Sequence, residues 1–362
     1  MAGFKEYGDH DAVGLAGLIR SGQVSETEVL DEALARMRAV QPQLNAVTHD
    51  MEGIARQAIA DGLPDGPFRG VPFMLKDLHV LYEGAPTHNG SNFYKEFIAD
   101  HDTEIVTRFK KAGLVTIAKT NTPEFGMCAS TEPASHGPAP NPWDLTRTGG
   151  GSSGGSATAV AARVLPAAHA TDGGGSIRIP AACCGLVGLK TTRGRNPTGP
   201  DALDSIQSVS HVVSRTVRDT AYLLDCTTGP EFGAPNPPLA DAGSFAAKLS
   251  KAPGQLRIAV SRRVMAGDTL DPACVDALDR TVALLESLGH IVEEADPGLD
   301  LDFIAAFWRM NASVGAHVTL SRREAALGRK LTPDDVEPVT FAAYHAGAKV
   351  SAVDFTKGIQ EV

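Results

Sequence analysis

The sequence predicts an α/β protein on three observations. Strand-like and helix-like segments alternate along the chain, a strand–helix–strand unit is written out in its last third, and two glycine-serine clusters flank a run of small apolar residues. A chain of 362 residues has room for one large α/β domain or for two domains. The formal net charge of -10 argues against nonspecific binding to nucleic acid or to an anionic membrane. There is no window of about 18 apolar residues and no apolar signal-peptide core near the N-terminus, so the expected location is the cytoplasm.

Residues 1–62 read as an N-terminal helical scaffold. Ser25-Glu26-Thr27-Glu28 is a capping box ahead of Val29, Leu30, Ala33, Leu34 and Met37 at helical spacing, and Pro42 is expected to end that helix. A short strand over 43–48 and a helix over 51–61 follow. Residues 63–228 form the expected core. A strand over 71–75 delivers Lys76, 102–112 is helical, and the β-branched run 114–118 is a buried strand. Residues 157–166 carry no side chain larger than leucine except Arg163, which suits a buried helix. A strand over 183–193 and a helix from 214 to 224 close the core. Residues 229–254, rich in proline and glycine, read as a linker. Residues 255–362 begin with a strand over 256–260. Asp271-Pro272 opens a helix with Val275, Leu278, Val282, Leu285 and Leu288 on one face, and Gly289 ends it before a strand at Ile291. Most of 302–327 and 333–362 is expected to be helical.

The chemistry concentrates in the glycine-serine clusters 149–156 and 171–178. Glycines ahead of a serine free the backbone to aim several N–H groups at one point, which suits a developing oxyanion. Gly173, Gly174 and Gly175 are therefore read as an oxyanion hole beside a nucleophilic Ser176. A serine hydroxyl needs a base, and no histidine is obviously placed to serve. Lys76, at the end of an apolar strand, is the better candidate, because burial lowers a lysine from its ordinary pKa of about 10.4 toward neutrality. Ser152 then relays the proton between Lys76 and Ser176. Asp172 and Arg178 are expected to pair and bracket the loop, with Ser153 and Thr171 hydrogen-bonding behind the catalytic groups. Met127, Cys128 and Thr131 are expected along the acyl side of the pocket.

Two other motifs match the same residues. Gly149-x-Gly151-x-x-Gly154 has the spacing of a dinucleotide loop, and Gly151 to Gly155 has that of a G-x-S-x-G elbow with Ser153 as nucleophile. Both need a hydrophobic strand immediately upstream, and 143–148 is not one. Five cysteines, Cys128, Cys183, Cys184, Cys226 and Cys274, show no C-x-x-C spacing, and the eleven histidines form no H-E-x-x-H. No metal and no cofactor is expected.

The Lys76 segment, the GGSSGGS run at 150–156 and the GGSIRIPA run at 174–181, in this order, resemble the amidase signature family. The KTNTPEF stretch at 119–125 and Asn141-Pro142-Trp143-Asp144 extend the resemblance. It implies a mixed central β-sheet flanked by helices on both faces. It further implies a Ser-cisSer-Lys triad of Ser176, Ser152 and Lys76, with a cis peptide before Ser152, and an amidohydrolase working through an acyl-serine on a linear or cyclic carboxamide. The likeness is greater to bacterial amidases and hydrolases of cyclic oligoamides than to the glutamine-hydrolysing subunit of a tRNA amidotransferase. The partners it implies are a small-molecule amide and at most a second copy of the chain as a homodimer, with no direct nucleic-acid or membrane contact. Family members continue with a segment that completes the central sheet and one pocket wall, whereas this sequence stops at Gln360-Glu361-Val362 in a helical pattern. The competing expectation is accordingly an impaired or inert truncated amidase.

Overall fold

The computed structural model describes residues 4–201, 207–234, 243–264 and 269–361. They fall into two compact units, Met1–Ala246 with Thr319–Ala342, and Ala247–Val318 with Ala343–Val362.

The first unit opens with α1 (Ala12–Arg20), capped by the Asp11 side chain on the Gly14 N–H, and α2 (Glu26–Leu44). The capping box forms as expected, with Ser25 and Glu28 each accepting the other's backbone N–H. The helix buries Val29, Leu30, Ala33, Leu34 and Met37. It runs through Pro42 to Leu44, past its expected end. Pro42 sits in the last turn, where its missing N–H forfeits a single helical bond, and left-handed Asn45 closes the helix instead. The following strand, β1 (Val47–Asp50), is displaced accordingly. After α3 (Glu52–Asp61) come β2 (Pro72–Lys76), α4 (Glu104–Lys111) and β3 (Val115–Thr120). They build a sheet in the order β1-β3-β2, with β1 antiparallel and β2 parallel to β3. Every residue of β2 and β3 is buried.

Strands β4 (Pro140–Asn141) and β5 (Asp144–Thr148) pair as a small ribbon. β5 is a strand, but an exposed one, so the buried strand of a dinucleotide-binding loop is missing. Helix α5 (Gly154–Ala161) starts three residues earlier than expected and ends before Arg163, whose φ is 58°. A second sheet, in the order β6-β8-β7, is antiparallel throughout and comprises β6 (Ala167–Asp172), β7 (Val187–Gly188) and β8 (Val209–Ser214), with α6 (Arg178–Cys184) between β6 and β7. Only Val187–Gly188 of the strand expected over 183–193 pairs, because Cys183 and Cys184 complete α6. Helix α7 (Val217–Thr227) is fastened to α1 by Asp219, whose carboxylate accepts the Ala12 and Val13 N–H groups at 2.9 and 3.1 Å.

The α/β architecture is thus realised around two three-stranded sheets whose strands β2 and β6 run side by side. Side chains link them. The Lys76 backbone N–H donates to His169 Nδ1 at 3.3 Å, and His169 Nε2 lies 2.7 Å from the Ser210 hydroxyl. Helix α5 adds a second link. The Ser156 hydroxyl donates to the His169 carbonyl at 2.7 Å and accepts from Thr120 Oγ1 at 2.7 Å, joining α5, β3 and β6 in one buried chain. The short helix α8 (Phe245–Lys248) follows.

In the second unit, β9 (Arg257–Val260) and β10 (Ile291–Glu294) pair in parallel around α9 (Pro272–Ser287), which realises the strand–helix–strand reading. Asp271 caps α9 by accepting the Ala273 N–H, and Pro272 occupies the first turn. Helices α10 (Leu301–Leu327) and α11 (Pro338–Gly347) are each divided between the two units, the first unit taking Thr319–Ala342, and α12 (Ala352–Glu361) belongs to the second. Among the described residues no helix is long and apolar enough to cross a membrane.

Candidate active site

Three elements of the first unit deliver the site: the end of β2 carries Lys76, the entry to α5 carries Ser152 and Ser153, and the end of β6 carries Thr171 and Asp172. Glycines are required in the middle one. A Cβ on Gly151 would lie 2.7 Å from the Ser130 carbonyl oxygen and 2.8 Å from that of Cys128, so only a bare backbone passes under that loop. The Gly151–Ser152 peptide is cis.

Lys76 is wholly buried. Its Nζ lies 2.6 Å from Ser152 Oγ and 2.9 Å from Thr171 Oγ1. Burial brings the amine down to about 7, against the opposing pull of the Asp172 carboxylate. Near neutrality, therefore, a large fraction of Lys76 is free amine, with a lone pair able to take a proton from the Ser152 hydroxyl. His169 cannot compete as base. It is buried and held neutral, with Nδ1 committed to the Lys76 backbone and Nε2 to Ser210.

Asp172, also fully buried, organises the loop that follows β6. Its carboxylate accepts the N–H groups of Gly175 at 2.7 Å and Ile177 at 3.2 Å, and binds Arg178 through Nε at 2.8 Å and Nη2 at 3.0 Å. These bonds hold it below the usual carboxylate range despite burial. Gly175, expected as an oxyanion donor, thus gives its N–H to Asp172. Among the described residues, the N–H groups of Gly173, Gly174 and Ser176 have no acceptor. Ser176 is half-buried, and its hydroxyl likewise has no hydrogen-bond partner among the described residues. The structure thus joins Lys76, Ser152 and Thr171 directly, while Ser176 stands on the Asp172-braced loop without a bond to Ser152.

Other expected residues are placed less uniformly. The buried Ser153 hydroxyl donates to the Thr171 carbonyl and accepts the Thr171 N–H, both at 3.3 Å, which occupies it and removes the case for Ser153 as an elbow nucleophile. Thr131, expected along the acyl side of the pocket, is fully buried, donating to the Gly150 carbonyl at 2.9 Å and accepting from the Gly154 N–H at 3.2 Å, so it braces the glycine-serine run. Met127 is half-buried with its sulfur 3.9 Å from Thr340 Oγ1, and Cys128 is exposed. Sequence reasoning missed Gly126, where φ is 68° and a Cβ would come within 3.1 Å of Ser152 Oγ. Its only signal was a glycine closing the Pro-Glu-Phe-Gly turn.

The Amidase family model matches residues 28–349. The chain is similar to the 6-aminohexanoate-cyclic-dimer hydrolase of Paenarthrobacter ureafaciens, at 40% identity over 361 residues, covering 97% of this chain and 73% of that protein. Among solved structures, a 6-aminohexanoate cyclic dimer hydrolase superposes with a TM-score of 0.92 at 39% identity, over 97% of this chain and 74% of the other. A bacterial aryl acylamidase of the amidase signature family superposes with a TM-score of 0.88 at 25% identity, over 96% and 74%.

Proposed function

The chain belongs to the amidase signature family and is a hydrolase acting on amide C–N bonds, and from that premise we propose that it cleaves a linear or cyclic carboxamide through an acyl-Ser176 intermediate. The observation that carries the reading is the buried contact of Lys76 Nζ with Ser152 Oγ at 2.6 Å. Neutral Lys76 draws the Ser152 proton as Ser152 draws that of Ser176. In this reading the Ser176 hydroxyl passes its proton to Ser152 and its oxygen attacks the substrate carbonyl. The N–H groups of Gly173, Gly174 and Ser176 hold the oxyanion; removing one such donor costs about 3 kcal/mol of barrier. The relay then runs backward, protonating the departing amine, and water repeats the sequence on the ester. Asp172 and Arg178 hold the loop, and Ser153 and Thr171 position the lysine end.

The relatives' names support a substrate in which an amide joins aliphatic chains; the placement of Met127 and Cys128 on its acyl side is part of the proposal. The test is turnover of a panel of linear and cyclic amides with hydroxylamine added. An acyl-serine partitions to hydroxamate at the expense of carboxylate, whereas direct attack by water does not. Ser176→Ala is expected to lose both products by more than about 1,000-fold while keeping its melting temperature. Turnover that survives this substitution contradicts the mechanism.

A further inference from the structure

Three histidines far apart in sequence meet beside buried Asp77. His49 lies in β1, His88 in the loop leaving β2 and His136 in the loop before β4; each offers one ring nitrogen, and the three lie within 4.8 Å of one another. His49 Nε2 and His88 Nδ1 are 3.0 Å apart, with their rings nearly perpendicular. Tetrahedral zinc with Zn–N bonds of about 2.0–2.1 Å sets its ligand nitrogens about 3.4 Å apart. That first pair is already near this spacing, and the third ring needs to close by at most about 1.4 Å.

The surroundings are those of a ligand set. The Ser135 hydroxyl donates its one proton to the Gly90 carbonyl at 2.7 Å, so toward His136 Nδ1, at 2.9 Å, it acts as acceptor. That bond places the His136 proton on Nδ1 and leaves the lone pair on Nε2, the outer hydrogen bonding that orients metal-binding imidazoles. Buried Asp77 supplies a counter-charge. One of its oxygens accepts the His88 backbone N–H at 2.8 Å, while the other accepts the Thr48 hydroxyl at 3.1 Å and lies 3.9 Å from His49 Nε2. An all-imidazole set suits zinc and its neighbours rather than magnesium or calcium.

We propose that His49, His88 and His136 bind one zinc ion, with water as fourth ligand, and that the ion pins β1 to the loops before β4 and after β2. This departs from the sequence expectation of no metal, and it stands independently of the amidase mechanism.

The experiment uses the full chain, stripped with a chelator and then titrated with Zn²⁺ against a chromophoric chelator, and with Co²⁺ followed by visible absorption. The expected results are one Zn²⁺ per chain, a higher melting temperature with Zn²⁺, and the strong visible bands of four-coordinate cobalt. His136→Gln is expected to weaken Zn²⁺ binding by at least about 100-fold, and Ser135→Ala by about 10- to 100-fold. If His136→Gln fails to fold, His49→Gln provides the comparison, and the cobalt spectrum of the unaltered chain needs no variant. Failure to compete for Zn²⁺, a six-coordinate cobalt spectrum, near-ultraviolet thiolate bands implicating a cysteine, or unchanged affinity in the histidine variants would each overturn the proposal.

Discussion

At the scale of the residue, burial alone carries Lys76 down toward neutrality, against the pull of Asp172. A lysine titrating at about 7 is a usable base at neutral pH, whereas an exposed one is almost wholly protonated. The acid limb of kcat/KM is therefore expected to rise to a plateau with a midpoint near 7, and Lys76→Ala to lower kcat by about 10²- to 10⁴-fold. A flat profile between about pH 6 and 9 contradicts the assignment. The meeting of Lys76 with Ser152 was legible in the sequence because a lysine ending an apolar strand and a serine in a glycine-rich run are local patterns. What lay beyond local pattern was not. The occupied hydroxyl of Thr131, the diversion of the Gly175 N–H to Asp172 and the meeting of His49 with His88 and His136 all depend on which distant backbone passes nearby.

At the scale of the element, α5 shows packing overriding propensity. Alanine is a better helix former than glycine by about 1 kcal/mol, so propensity alone expects Gly155→Ala to stabilise the chain. The structure predicts the reverse. A Cβ at Gly155 collides with the Asn121 backbone, to which the Gly155 N–H already donates at 3.1 Å, and with the Ala46 carbonyl at 2.6 Å. The substitution is expected to cost about 2 kcal/mol or more in chemical denaturation and to lower activity by shifting Ser152. A stability equal to or above that of the unaltered chain refutes this packing. The elements the sequence placed well were those with a cap or a strict period, such as α2 and α9. It placed less well those made by pairing alone: β7 shrinks to two residues and β5 forms with Leu145 as its one apolar residue, because partner strands and not composition define them.

At the scale of the whole molecule, two buried lysines couple stability to pH. Lys76 and Lys119 titrate at about 7 and about 8 when folded, both lowered by burial, and near 10.5 when unfolded. Between about pH 7 and 8.5 these lysines hold more protons in the unfolded chain than in the folded one, so stability rises with pH there; above about pH 9 the Cys184 and Cys226 thiols, both pushed up to about 12 by burial, pull the other way. Each lysine contributes at most about 1.4 kcal/mol per pH unit. The melting temperature is expected to climb between about pH 7 and 8.5, with a shallower slope in Lys76→Met; identical slopes would remove Lys76 from the account. The α/β class and family were readable from three ordered motifs, whereas the division into two three-stranded sheets was not, since side-chain links between β2 and β6 leave no periodic trace. We propose that β2, α5 and β6 together assemble one reactive serine. The most direct test is labelling of the chain by a fluorophosphonate, mapped by mass spectrometry, alongside Lys76→Ala and Ser152→Ala. Modification is expected at Ser176, suppressed by both substitutions. Modification at Ser153, or at Ser176 with undiminished rate in both variants, would contradict this assembly.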